Sequence, residues 1–165
     1  MSLIIEEVSS DEKLKTVASL AEEIWHEHFT PIIGRDQVLY MLDKFQSFTA
    51  MKRQRESEGY IYYLFKWDGE YVGYSGIAVH GDRLFLSKLY VKKEARGRGI
   101  SRKAVDKYKG ICKEKGLRSI YLTVNKYNFA KDVYTALGFK TIDSVKTDIG
   151  GGFYMDDYIM ELDIQ

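Results

Sequence analysis

The segment Phe85 to Ala104 constrains the chain more than any other. An apolar run, Phe85-Leu86-Ser87-Lys88-Leu89-Tyr90-Val91, leads through Lys92-Lys93-Glu94-Ala95 into Arg96-Gly97-Arg98-Gly99-Ile100-Ser101, where a helix begins. A strand that turns into a helix across two glycines flanked by arginines makes an anion site. The first N–H groups of a helix lack internal partners, and the helix dipole favours negative charge there. Glycines without a Cβ let a phosphate approach the main chain. The stretch reads as a seat for a diphosphate.

The charge distribution agrees. Of the 25 Lys and Arg and 24 Asp and Glu, 12 basic and 3 acidic residues fall between Lys88 and Arg118, a local charge of +9 against −8 for the rest. One segment is prepared for an anion, and the remainder is mildly acidic. A solvated helix face accounts for Lys107, Lys109, Lys113 and Lys115, but not for arginines bracketing two glycines. The 165 residues suit one domain, residues 1–165, with a real core. No apolar run is long enough to span a membrane, and the N-terminus lacks the pattern of a signal peptide. Cys112 is the single cysteine, which fits a reducing cytoplasm.

Taken in order, Leu3 to Val8 is strand-like, and Ser9 with Glu12 has the spacing of a capping box. Leu14, Val17, Ala18, Ala21, Ile24, Trp25 and His28 share one face of the helix that follows, which Pro31 and Gly34 break. Arg35 to about Arg55 reads as a second helix. Three strands follow, Tyr60–Trp67, Tyr71–Val79 and Arg83–Val91, joined at Asp68-Gly69 and Gly81-Asp82. Gly73 and Gly76 inside the second suggest a bulge or a close backbone approach. The helix after the loop ends at Gly116, and Ser119–Val124 should return parallel to Arg83–Val91 by a right-handed crossover. Asn128 caps a short helix over 128–137, and Phe139–Thr147 and Phe153–Asp163 form a last hairpin across Gly150-Gly151-Gly152. The order β-α-α-β-β-β-α-β-α-β-β predicts an α/β fold: a central mixed sheet with helices on both faces, and a ligand at the βα junction.

Two phosphate-binding readings fail on particular residues. A Walker loop needs Lys-Ser/Thr after the last glycine, and Ile100 follows Gly99. A dinucleotide fingerprint needs a third glycine, where Arg102 stands, and an acidic residue after the next strand, where Asn125 stands. Arg96-Gly97-Arg98-Gly99-Ile100-Ser101 instead resembles the Arg/Gln-x-x-Gly-x-Gly/Ala loop of the GNAT superfamily of acyl-CoA-dependent N-acetyltransferases. The context strengthens it: the strand Leu86–Val91, then Leu122-Thr123-Val124-Asn125, Asn128, Tyr134 and Leu137-Gly138-Phe139. The resemblance covers roughly residues 60–163. Ser101 departs from the usual Gly or Ala.

The resemblance implies acetyl-CoA as cofactor. Its diphosphate would lie on the amides of Arg96, Gly97, Arg98, Gly99, Ile100 and Ser101. Its pantetheine arm would lie along Leu89, Tyr90 and Val91, with Asn125 and Asn128 touching that arm. Tyr134 matches the tyrosine that protonates the leaving thiolate. For each Asn a turn or cap role stands level with the cofactor role. The reaction would be direct attack by an amine on the thioester, without an acyl-enzyme, and Cys112 reads as a buried structural residue. Strand 85–91 carries Ser87 and Lys88 where some relatives place a Glu, so the base is open among Glu27, Asp156 and Asp157. These three are also the candidates for binding the acceptor. His26 and His28 are further options. Adjacent helix positions do not converge on one ion, so no metal is expected.

An acidic set, Glu22, Glu23, Glu27, Asp36, Asp148, Asp156 and Asp157, suits a cationic small-molecule amine such as a polyamine, or a lysine or N-terminal amine. Trp25, Phe29, Tyr40, Tyr154 and Tyr158 would line its channel. Ordinary helix solvation and core packing explain both sets equally well. A non-catalytic acyl-CoA-binding module on the same fold is the rival reading. Nucleic-acid binding by the +9 segment is not expected, for want of a reader motif. A homodimer is permitted by an edge strand.

Overall fold

The computed structural model describes residues 2–164. The elements are β1 (Leu3–Glu7), α1 (Asp11–Ile33), α2 (Arg35–Met41), a π-helical turn (Leu42–Gln46), α3 (Phe48–Ser57), β2 (Ile61–Trp67), β3 (Glu70–His80) and β4 (Arg83–Val91). After these come a 3-10 turn (Lys93–Ala95), α4 (Ile100–Lys115), β5 (Ser119–Asn125), α5 (Ala130–Ala136), β6 (Lys140–Gly150) and β7 (Phe153–Asp163). One seven-stranded mixed sheet has the order β1-β2-β3-β4-β5-β7-β6. The α/β expectation holds, with β4 and β5 the parallel pair and the other pairs antiparallel.

Helices cover both faces. On one, Ile100, Ala104, Val105, Tyr108 and Cys112 of α4 pack with Leu84, Leu86, Leu89, Ile120 and Leu122. On the other, Leu14, Val17, Ala21, Ile24 and Trp25 of α1 pack with Met51, Tyr62, Leu64 and Tyr74. Each set follows the helical or strand period of its element, so burial selects the facing stripe.

Several local expectations are corrected. Ser10, not Ser9, caps α1, its hydroxyl accepting from Lys13 N. Pro31 lies inside α1 rather than ending it. So close to the C-terminus it disturbs little, and Gly34 closes the helix by donating to Thr30 O. The single helix expected over Arg35–Arg55 is divided by the π-turn and restarts at Ser47, whose hydroxyl accepts from Ala50 N.

Two features of β3 and β4 shape the site. A side chain on Gly73 would run into the Tyr90 carbonyl oxygen, so β3 and β4 approach closely there. The β3–β4 register steps from Ile77↔Leu86 to Gly76↔Lys88, leaving Ser87 as the extra residue of a bulge. The bulge resets the alternation. Leu84 and Leu86 before it, and Leu89 and Val91 after it, all face α4. Lys88 and Tyr90 therefore turn to the α1–α3 side, where Tyr90 packs.

Candidate active site

The parallel pairing of β4 with β5 covers only Arg83–Phe85 against Ser119–Tyr121. Beyond Phe85 the strands splay, while β5 stays paired with β7 as far as Asn125↔Asp157. The main chain of β4 from Leu86 to Val91 thus has no strand partner on its β5 side. Backbone donors and acceptors in such a cleft are positions for an amide-bearing ligand.

Below the cleft stands the N-terminus of α4. Gly97 and Gly99 take φ of 79° and 76°, the left-handed region that glycine enters without penalty. No side chain caps α4. Among the described residues, the amides from Gly97 to Arg102 donate to no protein acceptor. This run of free N–H groups at a 16-residue helix is suited to a diphosphate. The Arg96 guanidinium donates through Nε to Val91 O at 3.1 Å and lies 3.9 Å from Glu27. Arg98 turns away, its guanidinium carbon 5.1 Å from the centre of the Trp67 ring.

A cavity of about 730 Å³ runs from this seat through the cleft to the α1–α3 face. Its size is that of a small-molecule or cofactor site. Leu89, Tyr90, Val91, Arg96, Gly97, Gly99, Ile100, Ser101, Asn125, Asn128, Tyr134 and Asp157 line it; Arg98, Glu27 and Asp156 do not. Glu27 faces Arg96, and Asp156 pairs with Lys126 at 3.2 Å. Of the aromatic residues expected along an amine channel, Trp25 and Phe29 line the cavity, and Tyr40, Tyr154 and Tyr158 do not.

The two asparagines use their carbonyl oxygens locally. Asn125 Oδ1 accepts from Tyr127 N, and Asn128 Oδ1 accepts from Ala130 N, both at 2.9 Å. The short helix begins at Ala130, not at 128, and its N-cap position is Phe129. Asn128 Oδ1 accepts from the first amide of the helix instead, and the side-chain NH2 of each asparagine stays available to the cavity. Burial raises the Tyr134 phenol well above its ordinary pKa, so it is protonated at neutral pH. Its hydroxyl donates to no protein acceptor among the described residues. Asp157 is 4% exposed, and its carboxylate accepts no hydrogen bond from the described residues. Burial first, then neighbouring Asp156, lifts its pKa to about 6, against the opposing pull of Lys126. Tyr90, Tyr134 and Asp157 line the same cavity, and burial first, then Tyr134 and Asp157, raises the pKa of the Tyr90 phenol.

The α1–α3 arm of the cavity joins aromatic residues that the sequence assigned to the site with three polar ones, Lys88, Gln46 and Gln54, that it did not. Trp25, Phe29 and Tyr90 form an aromatic cluster, with Trp25 and Phe29 ring centres 4.2 Å apart. Lys88, Gln46 and Gln54 bring polar atoms to the same arm, each 5% exposed or less. A lysine in the middle of an apolar strand was the visible signal for Lys88. No sequence pattern marked Gln46 and Gln54.

A sheet split at a βα junction, above an uncapped helix N-terminus, defines an enzyme built around a diphosphate-bearing cofactor with an amide arm. Residues 20–155 match the acetyltransferase (GNAT) domain family. The chain belongs to that family and is an acetyl-CoA-dependent acyltransferase. It is 39% identical over 59 residues to thialysine N-epsilon-acetyltransferase of Bos taurus, a match spanning 35% of each chain. Its fold is similar to that of PaiA N-acetyltransferase from Thermoplasma acidophilum in complex with coenzyme A. That likeness has a TM-score of 0.82 and 23% identity, over 99% of both chains. It is also similar to the ribosomal-protein-S18-alanine N-acetyltransferase of Escherichia coli, with a TM-score of 0.69 and 17% identity, over 99% of this chain and 95% of that one.

Proposed function

We propose that the chain transfers an acetyl group from acetyl-CoA to a small primary amine by direct attack within a ternary complex. The observation that carries this reading is that Tyr134 and Asp157 line one cavity with the open edge of β4 and the glycine loop before α4. Coenzyme A supplies the activated thioester. The free amides of Gly97 to Arg102 hold its diphosphate, supported by the charge of Arg96. The open edge of Leu89 to Val91 and the side-chain NH2 groups of Asn125 and Asn128 hold its amide arm.

Asp157 accepts a proton from the acceptor ammonium. With a pKa of about 6 it is ionised at neutral pH, yet more basic than an ordinary carboxylate. The amine nitrogen bonds to the carbonyl carbon, the carbon–sulfur bond breaks, Tyr134 gives its proton to the departing sulfur, and the second proton that nitrogen loses as the amide forms returns to the Tyr134 oxygen. Cys112 lies fully buried under the sheet and does not line the cavity, so no acyl-enzyme is formed on it.

The acidic surround supports a cationic acceptor less than the sequence suggested. Of its seven carboxylates Asp157 alone lines the cavity. Glu23, Glu27 and Asp156 face Lys92, Arg96 and Lys126. Buried walls favour a small amine over a lysine on a protein surface. The buried lone thiol fits a cytoplasmic setting, and no helix among the described residues is long and apolar enough to cross a membrane. Nucleic acid and membrane are not part of the reading, and a homodimer through the free edge of β6 is.

The test is an amine panel with acetyl-CoA, following free thiol. Amine-dependent thiol release is expected. Tight coenzyme A binding with no transfer to any amine would instead make the chain an acyl-CoA-binding module.

A further inference from the structure

Lys88 is 3% exposed, lies on the α1–α3 side of the sheet and has no carboxylate within ion-pair reach among the described residues. Its ammonium donates to three neutral oxygens: Gln54 Oε1 at 2.6 Å, Phe45 O at 2.7 Å and Tyr62 Oη at 2.8 Å. Glu58 and Arg53 act on it from a distance and face each other at 3.5 Å, so they offer little net charge. A buried cation without a counter-charge is costly, and proteins normally pair it.

Lys88 lines the cavity, together with its partners Phe45 and Gln54. Asp157 lines it too. Lys88 and Tyr90 are two residues apart on β4 and turn to the same face, about 7 Å along the strand. One cavity therefore carries both a carboxylate, Asp157, and an ammonium, Lys88.

We propose that the acceptor is an amine that also bears an anionic group, a carboxylate being the simplest, and that Lys88 pairs with that anion. This rests on the acetyl-transfer reading of the same cavity. The bonding around Lys88 permits the exchange. Phe45 O accepts from Gln54 Nε2 at 3.2 Å as well as from Lys88. The ammonium can turn from Phe45 O to an incoming carboxylate without leaving that carbonyl unpaired. Gln54 Oε1 keeps the Tyr62 hydroxyl as a donor. The arrival of the anion supplies the missing counter-charge and fixes the amine toward Asp157.

The experiment compares amines that differ only by a carboxylate: 4-aminobutanoate against propylamine, 5-aminopentanoate against butylamine, and lysine against cadaverine. Acetyl-CoA turnover is measured with each. The expected result is at least a tenfold higher kcat/KM for the carboxylate-bearing member of a pair, falling to within about threefold in Lys88→Met and kept in Lys88→Arg. Equal or better turnover of the carboxylate-free amines by the unaltered protein would overturn the proposal while leaving acetyl transfer intact. Because the panel on the unaltered protein decides by itself, poor folding of a variant does not shield the proposal. Absence of transfer to every amine would overturn the acetyl-transfer reading and this proposal with it.

Discussion

The imidazole Nε2 of His28 lies 2.9 Å from Asn128 Oδ1, joining α1 to the start of α5 across the mouth of the cavity. Asn128 Oδ1 already accepts from the Ala130 amide. It is therefore the carbonyl oxygen of the side chain, and His28 Nε2 must carry the hydrogen. This orientation leaves the Asn128 NH2 free to donate. Two ion pairs tie α1 to the segment between β4 and α4, Glu23 with Lys92 at 3.0 Å and Glu27 with Arg96 at 3.9 Å. Replacing His28 with Phe removes the donor and keeps a flat ring. A neutral hydrogen bond is worth about 1 kcal/mol, so KM for acetyl-CoA should rise about fivefold with kcat little changed. His28→Gln should recover most of the loss. Steady-state kinetics with calorimetric coenzyme A binding checks both.

Tyr134→Phe tests the proton donor. The ring and its packing on Phe139, 5.6 Å between centres, are retained, so stability should be unaffected. General acids contribute on the order of a hundredfold or more. kcat should fall by about that factor while coenzyme A affinity is unchanged. Unaltered kcat would remove Tyr134 from the chemistry.

Asp157→Asn tests the base. The burial that lifts Asp157 to about 6 means that its ionised fraction grows as pH rises through that value. kcat/KM for the acceptor should climb over the same interval. In the Asn variant the climb near pH 6 should vanish and the rate at pH 7.5 should fall at least tenfold. A pH–rate profile from 5 to 8 distinguishes the two.

The strand-to-helix turn over Arg96–Ser101 was legible because its signals are local: glycine where φ is positive, apolar residues before it and a helical stripe after it. The parallel pair was legible from topology, because a strand–helix–strand unit returns its second strand parallel to the first. The bulge was legible in part. Gly76 marked its place on β3, but nothing in a run of apolar letters showed that the extra residue, Ser87, lies on β4, where it decides that Lys88 and Tyr90 face α1–α3 while Leu89 faces α4. The break in the helix over Arg35–Arg55 was hidden too. The Phe45 carbonyl there is held by Lys88 and Gln54, partners set by the tertiary fold. The ends of long charged side chains were equally out of reach. Arg98 finds Trp67, and Glu27 finds Arg96.

Gly73→Ala tests the close approach of β3 to β4. A methyl group there meets the Tyr90 carbonyl and the Val91 backbone, neither of which can turn aside as a side chain would. Overpacking of this kind costs about 1–3 kcal/mol. Because the displaced strand is the one whose free edge faces the cleft, coenzyme A affinity should fall together with the melting temperature. Thermal denaturation with and without coenzyme A measures both.

Lys88 should make stability depend on pH in the alkaline direction. Burial lowers its pKa from 10.5 to about 7. Between those values the unfolded chain holds a proton that the folded chain has released, so raising pH favours the folded state. Below about pH 7 both states carry the proton, and the folded one bears the full cost of a buried charge. Relative to Lys88→Met, the unaltered protein should therefore gain stability from about pH 7 upward, at most about 1.4 kcal/mol per pH unit. Melting temperatures of the two proteins from pH 6.5 to 9.5 read the difference. A carboxylate-bearing amine added to the unaltered protein should flatten the slope, because an anion beside Lys88 restores the affinity for the proton that burial removed.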